Sequence, residues 1–395
     1  MTIKPPIFLD HCSTTPVDES VLEAMLPYFR DKFGNPNTSH PELGGVAERA
    51  VRKAREQLAD LLVCHPNEVV WTSGATESNN LAILGFAKNV PSNKRHVITQ
   101  VTEHSAVLEP IRQLEFEGWK VSWLPVDHTG LIDVDQLKNE ITDETALVSI
   151  MWGNNEIGTI QDVAAIGQTC KEFDITWHCD SAQTVGKIEV NLSEIPADFL
   201  TVSAHKMYGP KGVGALYVRD LPKRNDFSSH VFGGGQEKGF RSGTLNVPGI
   251  VGFGHASEIA FKDGQKWIRK IRSLRKQFEE KILNELDQVS INGSRNRLPH
   301  ISNMAFARIE NEDVLNRMPE LVVSTGSACH AASFEPSHVL KALGNSSDDN
   351  SLRFGFGKDN TIAEIEFAAE LVVKTINTCR RNSYVPSKSS HSDFS

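Results

Sequence analysis

The sequence predicts an α/β protein: a large, mainly parallel seven-stranded sheet with helices on both faces, followed by a small α+β domain. Three observations carry that expectation. Short apolar runs alternate with helix-spaced segments over the first half of the chain, polar and glycine-bearing clusters follow several of the runs, and a long charged amphipathic stretch then leads into a second region. With 395 residues, 39% of them hydrophobic, the chain is large enough for one big domain and a smaller one.

After Pro5 and Pro6, the residues Val21, Leu22, Met25, Leu26 and Phe29 form an apolar stripe at helical spacing, closed by Gly34-Asn35-Pro36. Val46 to Leu62 repeats that signal. Strand-like and helix-like pieces then alternate: Glu68 to Thr72 and a helix from Ala75; Val97 to Gln100 and a helix from Ser105; Val121 to Leu124 and a helix over Val134 to Glu140. Ala146 to Met151, a helix over Val163 to Phe173, Ile175 to Cys179, Phe199 to Val202 and Gly214 to Val218 continue the series. Such repeats favour a parallel sheet covered on both faces. Ala256 to Leu286 reads as a long charged helix crossing into the second domain, where Ile301 to Ala307 is expected as a strand, Val314 to Met318 as a helix end and Ile362 to Asn377 as a late helix. The last thirteen residues hold six serines and little apolar content, the composition of a disordered tail.

Charge and motifs exclude several function classes. A net charge of −9 argues against nucleic acid or an anionic membrane as main partner. No apolar run approaches the roughly 20 residues that cross a bilayer, and the first ten residues lack the pattern of a signal peptide, so a cytoplasmic location is expected. The six cysteines include no CxxC pair, and reduced thiols are expected. The fourteen histidines include no HExxH or other metal-ligand spacing, so no catalytic metal is expected. Gly209-x-x-Gly212-x-Gly214 leads into a strand instead of following one, which fails the dinucleotide test.

The most informative stretch runs from Asp180-Ser181-Ala182-Gln183 to Ser203-Ala204-His205-Lys206. A carboxylate and a lysine each follow a buried strand, where ligands of such sheets sit. Pyridoxal phosphate needs that pair: an amine for its aldehyde, and an aspartate to keep its ring nitrogen protonated. Aminotransferase, decarboxylase and lyase all remain open at this point. Thr72-Ser73-Gly74-Ala75-Thr76-Glu77-Ser78 is a strand-to-helix turn able to hold a phosphate, although Ser and Thr also cap helices for structural reasons. Asn154-Asn155-Glu156 follows another strand. His104 is either a ring that stacks on an aromatic cofactor or a helix-capping or core histidine. Cys12, Cys64, Cys170, Cys179 and Cys379 read as small buried hydrophobes, whereas Cys329 stands in the small-residue run Ser324-Thr325-Gly326-Ser327-Ala328-Cys329, where a thiol is better exposed.

From about Phe8 to Asn377 the chain resembles the NifS/IscS-like cysteine desulfurases of the class V aminotransferase group. The resemblance rests on TSGATESNN at 72–80, NNEIG at 154–158, HKMYGPKGVGALY at 205–217, GGGQEKGFRSGT at 233–244 and STGSAC at 324–329. It implies the fold-type I pyridoxal phosphate architecture, with residues 15–258 as the large domain, 1–14 and 259–382 as the small one and 383–395 as the tail. Position by position, it implies Lys206 as the Schiff-base lysine, Asp180 against the pyridine nitrogen, Gln183 on the ring hydroxyl and His104 stacked on the ring. Ala75, Thr76, Ser203 and His205 match the phosphate cradle, with Thr244 contributed by the neighbouring subunit of a homodimer. Asn155 and Arg353 match the groups that hold the substrate carboxylate, and Cys329 the nucleophile that accepts sulfur from L-cysteine as a persulfide and passes it to an acceptor protein or thiol. Ser181 and Thr325 are conservative departures from the family pattern. His330-Ala331 after Cys329 is a larger one, and Ala-Cys-His is similar to selenocysteine lyases of the same superfamily, which makes selenocysteine the alternative substrate. The tail does not resemble the segment with which the housekeeping desulfurases dock their scaffold protein.

Overall fold

The apolar stripe near the N-terminus forms two short helices after a first strand: β1 (Ile7–Phe8), α1 (Glu19–Met25) and α2 (Pro27–Arg30), followed by α3 (Gly44–Leu62). Asp18 caps α1 by accepting the Ser20 N–H, and Pro27 opens α2 at a position where its missing N–H costs nothing. The chain is described here from a computed structural model covering residues 3–221, 227–325, 337–344 and 350–382. Cys329 and the tail at 383–395 lie outside the described residues.

Alternating strands and helices then build the main sheet: β2 (Val69–Thr72), α4 (Ala75–Ala87), β3 (His96–Gln100), α5 (Ser105–Phe116), β4 (Lys120–Leu124), α6 (Val134–Glu140), β5 (Thr145–Ser149), α7 (Val163–Glu172), β6 (Thr176–Asp180), β7 (Phe199–Ser203) and β8 (Gly214–Val218). The strand order is β2-β8-β7-β6-β5-β3-β4, with β8 antiparallel to both neighbours and the other pairs parallel. Near-continuous burial of β2, β3, β5, β7 and β8 is what helices on both faces require. Two apolar clusters flank the sheet, one including Trp71, Ile98, Val148 and Trp177, the other Val70, Val97, Leu147 and Phe199.

The predicted crossing helix is longer than its pattern suggests: α8 runs from Val247 to Glu285. Its first nine residues contain Gly249, Gly252 and Gly254, which dilute the helical apolar signal. They are small because neighbours press close: a Cβ on Gly254 would lie 2.4 Å from the Ala54 Cα of α3. The helix serves two cores. Ile250, Phe253, Trp267 and Ile268 pack with the large sheet, whereas Ile271, Leu274, Phe278 and Ile282 pack with Ile7, Leu9, Phe306 and Phe354.

Beyond α8 lie β9 (Val289–Asn292), β10 (Ile301–Phe306), α9 (Asn311–Asn316), β11 (Leu321–Val322), α10 (His338–Ala342), β12 (Ser351–Gly355) and α11 (Ile362–Asn382). β12, β10 and β9 form an antiparallel sheet, and β1 pairs in parallel with β11. The sequence reading anticipated β10 but neither β9 nor β12. The alternation of Leu352 and Phe354 with Ser351, Arg353 and Gly355 is the signal that marks β12.

Candidate active site

A cavity of about 720 Å³ opens beyond the carboxyl ends of β2, β3, β5, β6 and β7, between the main sheet and the N-terminal segment with β12. Ala75, Thr76, His104, Asn155, Asp180, Gln183, Ser203, His205, Lys206 and Arg353, ten of the residues anticipated from sequence, line it. Thr244 does not. Cys329 falls outside the described residues.

The two ends of the informative stretch are fixed differently. Asp180 closes β6, and its carboxylate accepts Asn79 Nδ2–H at 2.7 Å and the Ala182 N–H at 2.9 Å. Lys206 sits in a turn after β7, and its Nζ donates to the carbonyls of Cys12 (2.6 Å) and Ser13 (2.8 Å). Both residues precede Thr15, whose hydroxyl donates to the His205 carbonyl and accepts the Tyr208 N–H. Tyr208 holds a left-handed backbone, φ 66°, which is costly for a non-glycine residue and here is clamped by that contact. Gln183 donates to the Cys12 carbonyl and receives His300 Nε2–H.

His104 takes the helix-capping alternative and still borders the cavity. It caps α5, its Nδ1 accepting the Ala106 N–H at 3.1 Å, and it also lines the cavity. An accepting Nδ1 places the ring proton on Nε2 and leaves the imidazole uncharged. His205 is likewise neutral: burial, then Lys206 and Lys211, push its pKa down to about 4, and its ring meets Thr14 Oγ1 at 3.1 Å.

On the far side, Arg353 of β12 is buried and holds Asp10 through Nη2 (2.8 Å) and the Asn155 carbonyl through Nη1 (3.1 Å). Its Nε has no hydrogen-bond partner among the described residues. Glu156 stands nearby, raised to about 7 by burial against the opposing pull of the Ser337 hydroxyl and Arg353. Glu103, wholly buried beneath His104, is raised to about 8 by burial, with Asp180 adding to the rise. Sequence reasoning missed Asp10, Asn79, Glu103 and the carbonyls of Cys12 and Ser13. Of the five cysteines read as buried, Cys64 is only half-buried; Cys12 is buried, yet reaches the cavity wall.

Pyridoxal phosphate fits these residues on four observations. The N-terminus of α4 starts at Gly74 without a side-chain cap, so its free N–H groups face the cavity as an anion site. Ser203 Oγ beside it is buried without a partner among the described residues. Gly214 keeps the wall thin, since a Cβ there would come 2.6 Å from the Gly74 Cα. An amine and a carboxylate line the same space.

The chain matches the aminotransferase class-V family over residues 7–367. It is 47% identical over 383 residues to the cysteine desulfurase IscS of Neisseria meningitidis serogroup C / serotype 2a, covering 96% of this chain and 94% of that protein. Among solved structures it is similar to a NifS-like protein, with a TM-score of 0.88 and 35% identity over 94% of this chain and 100% of that one. It also resembles SspA in complex with cysteine, with a TM-score of 0.78 and 38% identity over 90% of this chain and 99% of that one. A cavity that unites an amine, a carboxylate and an uncapped helix end, with matches spanning nearly the whole chain, shows that it belongs to the class V aminotransferases and, within them, to the NifS/IscS-like cysteine desulfurases.

Proposed function

We propose that the protein is a pyridoxal-phosphate-dependent cysteine desulfurase that converts L-cysteine to L-alanine and leaves the sulfur on Cys329 as a persulfide for an acceptor protein or thiol. The convergence of Lys206, Asp180 and Arg353 on one cavity carries the reading. Lys206 would hold the cofactor aldehyde, Asp180 its ring nitrogen, Gln183 its ring hydroxyl and His104 its face. Ala75, Thr76, Ser203 and His205 would hold its phosphate. When bound, the cofactor supplies an electron sink for the carbon next to the substrate amine.

Arg353 and Asn155 receive the substrate carboxylate; the guanidinium pairs with both oxygens, and Asp10 holds it in place. The Lys206 amine takes and returns the proton at the substrate α carbon. The neutral His104 ring closes the cavity wall without adding a charge. Cys329 thiolate attacks the substrate sulfur: an S–S bond forms, the carbon–sulfur bond breaks, and the carbon left behind takes up a proton to give alanine.

Homodimer formation is part of the proposal. Leu22, Leu26, Phe29 and Phe33 stand exposed at i, i+4, i+7 and i+11, and Thr244 lies outside its own chain's cavity. A two-domain division, expected at 15–258 against 1–14 with 259–382, is supported by the change of core within α8, although that change falls between Ile268 and Ile271, beyond the expected boundary. No helix among the described residues is long and apolar enough to cross a membrane, and a cytoplasmic location fits that. The related protein solved with cysteine, and the name of the Neisseria relative, favour L-cysteine over selenocysteine.

Purified protein is expected to be yellow and to release alanine from L-cysteine faster than from selenocysteine. Cys329→Ala keeps the colour and loses persulfide formation; unchanged sulfide output from that variant would sink the proposal.

A further inference from the structure

Two residues of the cavity wall meet at one carbonyl, and a histidine from the second region of the chain decides how one of them faces the cavity. Gln183 stands in the turn after β6, where its Nε2 donates to the Cys12 carbonyl at 2.9 Å. Lys206 Nζ donates to the same oxygen at 2.6 Å. At its other end the Gln183 amide meets His300, whose Nε2 lies 3.2 Å from Oε1. His300 belongs to the turn before β10 and is 0% exposed; its carbonyl accepts the Phe356 N–H at 2.8 Å, which ties it to the chain just beyond β12.

These contacts fix the hydrogens of the pair. A carbonyl oxygen only accepts, so the end of the amide that faces Cys12 is the nitrogen and the end that faces His300 is the oxygen. An amide oxygen also only accepts, so His300 carries a hydrogen on Nε2. Its Nδ1 has no partner among the described residues, and burial, then Lys187, His11, Lys206 and Arg275, hold the ring well below its ordinary pKa. The ring is therefore neutral, with Nε2–H as its single donor. Packing does not call for histidine here, since leucine would fill similar space without burying an unpaired ring nitrogen. The Gln183 nitrogen has two hydrogens, and Cys12 takes one. The other is left for the cavity that Gln183 lines.

We propose that His300 is a positioning residue: it locks the Gln183 amide so that a hydrogen-bond donor, and not an acceptor, faces the ring hydroxyl of the cofactor. Held at both ends, the amide keeps its plane; held at Cys12 alone, it swings about that one bond and its second hydrogen loses its aim. A donor at the ring hydroxyl favours the ionised oxygen over the protonated one. The inference rests on Gln183 being the ring-hydroxyl group of the reading above, and it adds a residue of the second region to the groups that set the cofactor's charge.

The test follows the visible absorbance of bound pyridoxal phosphate against pH, at fixed ionic strength, in cofactor-loaded wild type, His300→Leu, His300→Gln, and Gln183→Ala with and without His300→Leu. His300→Leu should raise the midpoint of the absorbance transition by about 0.5–1 pH unit, whereas His300→Gln, whose amide can donate from the same place, should stay within about 0.2 unit of wild type. An unchanged midpoint in His300→Leu overturns the proposal, as does an equal rise in both variants, which would reflect packing. A further rise when His300→Leu is added to Gln183→Ala overturns it too, because the effect would then bypass the amide. If His300→Leu does not fold, the ring nitrogen NMR resonances of wild type decide, assigned by their absence from His300→Gln: a hydrogen on Nε2 is expected, and one on Nδ1 overturns the proposal. A wild-type midpoint in Gln183→Ala would instead refute the ring-hydroxyl reading, and with it this inference, while colourless wild type would refute the cofactor reading itself.

Discussion

At the scale of single residues, the site divides into groups that a sequence displays and groups that it hides. Asp180 and Lys206 are legible because each ends an apolar strand and each has a side chain whose chemistry is distinctive. Asp10 and the carbonyls of Cys12 and Ser13 are not. A carbonyl has no side-chain signature, and Asp10 meets Arg353 only after 343 residues of intervening chain have folded. Glu103 belongs to the hidden class and leads to a prediction. Its Oε1 accepts from Gln100 and the Met151 N–H, while Oε2 is buried without a partner among the described residues, an arrangement that suits a protonated carboxyl. The folded state keeps this proton up to about pH 8, whereas the unfolded chain releases it near the ordinary 4.5. Between those values the folded state binds more protons, so stability falls as pH rises. Glu103→Gln cannot titrate, and its loss of stability between pH 5 and pH 8 in urea unfolding should be smaller than that of wild type; equal slopes would refute the assignment.

Among the elements, patterning reveals those that repeat a simple period and fails where another constraint shapes the composition. The strands of the main sheet are legible as buried apolar runs, and α6 is legible to the residue. The start of α8 is obscured by glycines that exist for close packing, and β12 by Arg353 in its centre. The glycines of α8 are not equivalent. Gly254→Val would drive side-chain atoms into the α3 backbone and should destabilise by about 1–3 kcal/mol or more, since α3 has no room to yield. Gly264→Ala meets only Trp267, at 3.4 Å, and should be neutral or stabilising by about 0.5–1 kcal/mol through helix propensity. Thermal midpoints of the two variants check the contrast, and similar values for both would show that α3 and α8 are not held as closely as these distances indicate.

For the whole molecule, the proposed dimer and the cofactor site would depend on each other. Phe29→Asp places a charge in the exposed stripe of α1 and α2 and should give a single-chain mass by light scattering, with pyridoxal phosphate lost more readily on gel filtration, because on this proposal Thr244 would no longer reach a neighbouring cavity. A variant that stays dimeric and fully coloured would move the interface elsewhere. The short segment from Asp10 to Ser13 also has a consequence for the order in which the protein is made. It braces Arg353 with a side chain and Lys206 with two carbonyls, and among the described residues the strand before it pairs with Leu321–Val322. The segment at residues 10–13 must therefore wait for residues 321–353, so the lysine acquires its resting place only after that later stretch has been made. Cofactor loading then follows synthesis of that stretch, and a ribosome-stalled fragment that ends before residue 321 should remain colourless however well its main sheet has formed.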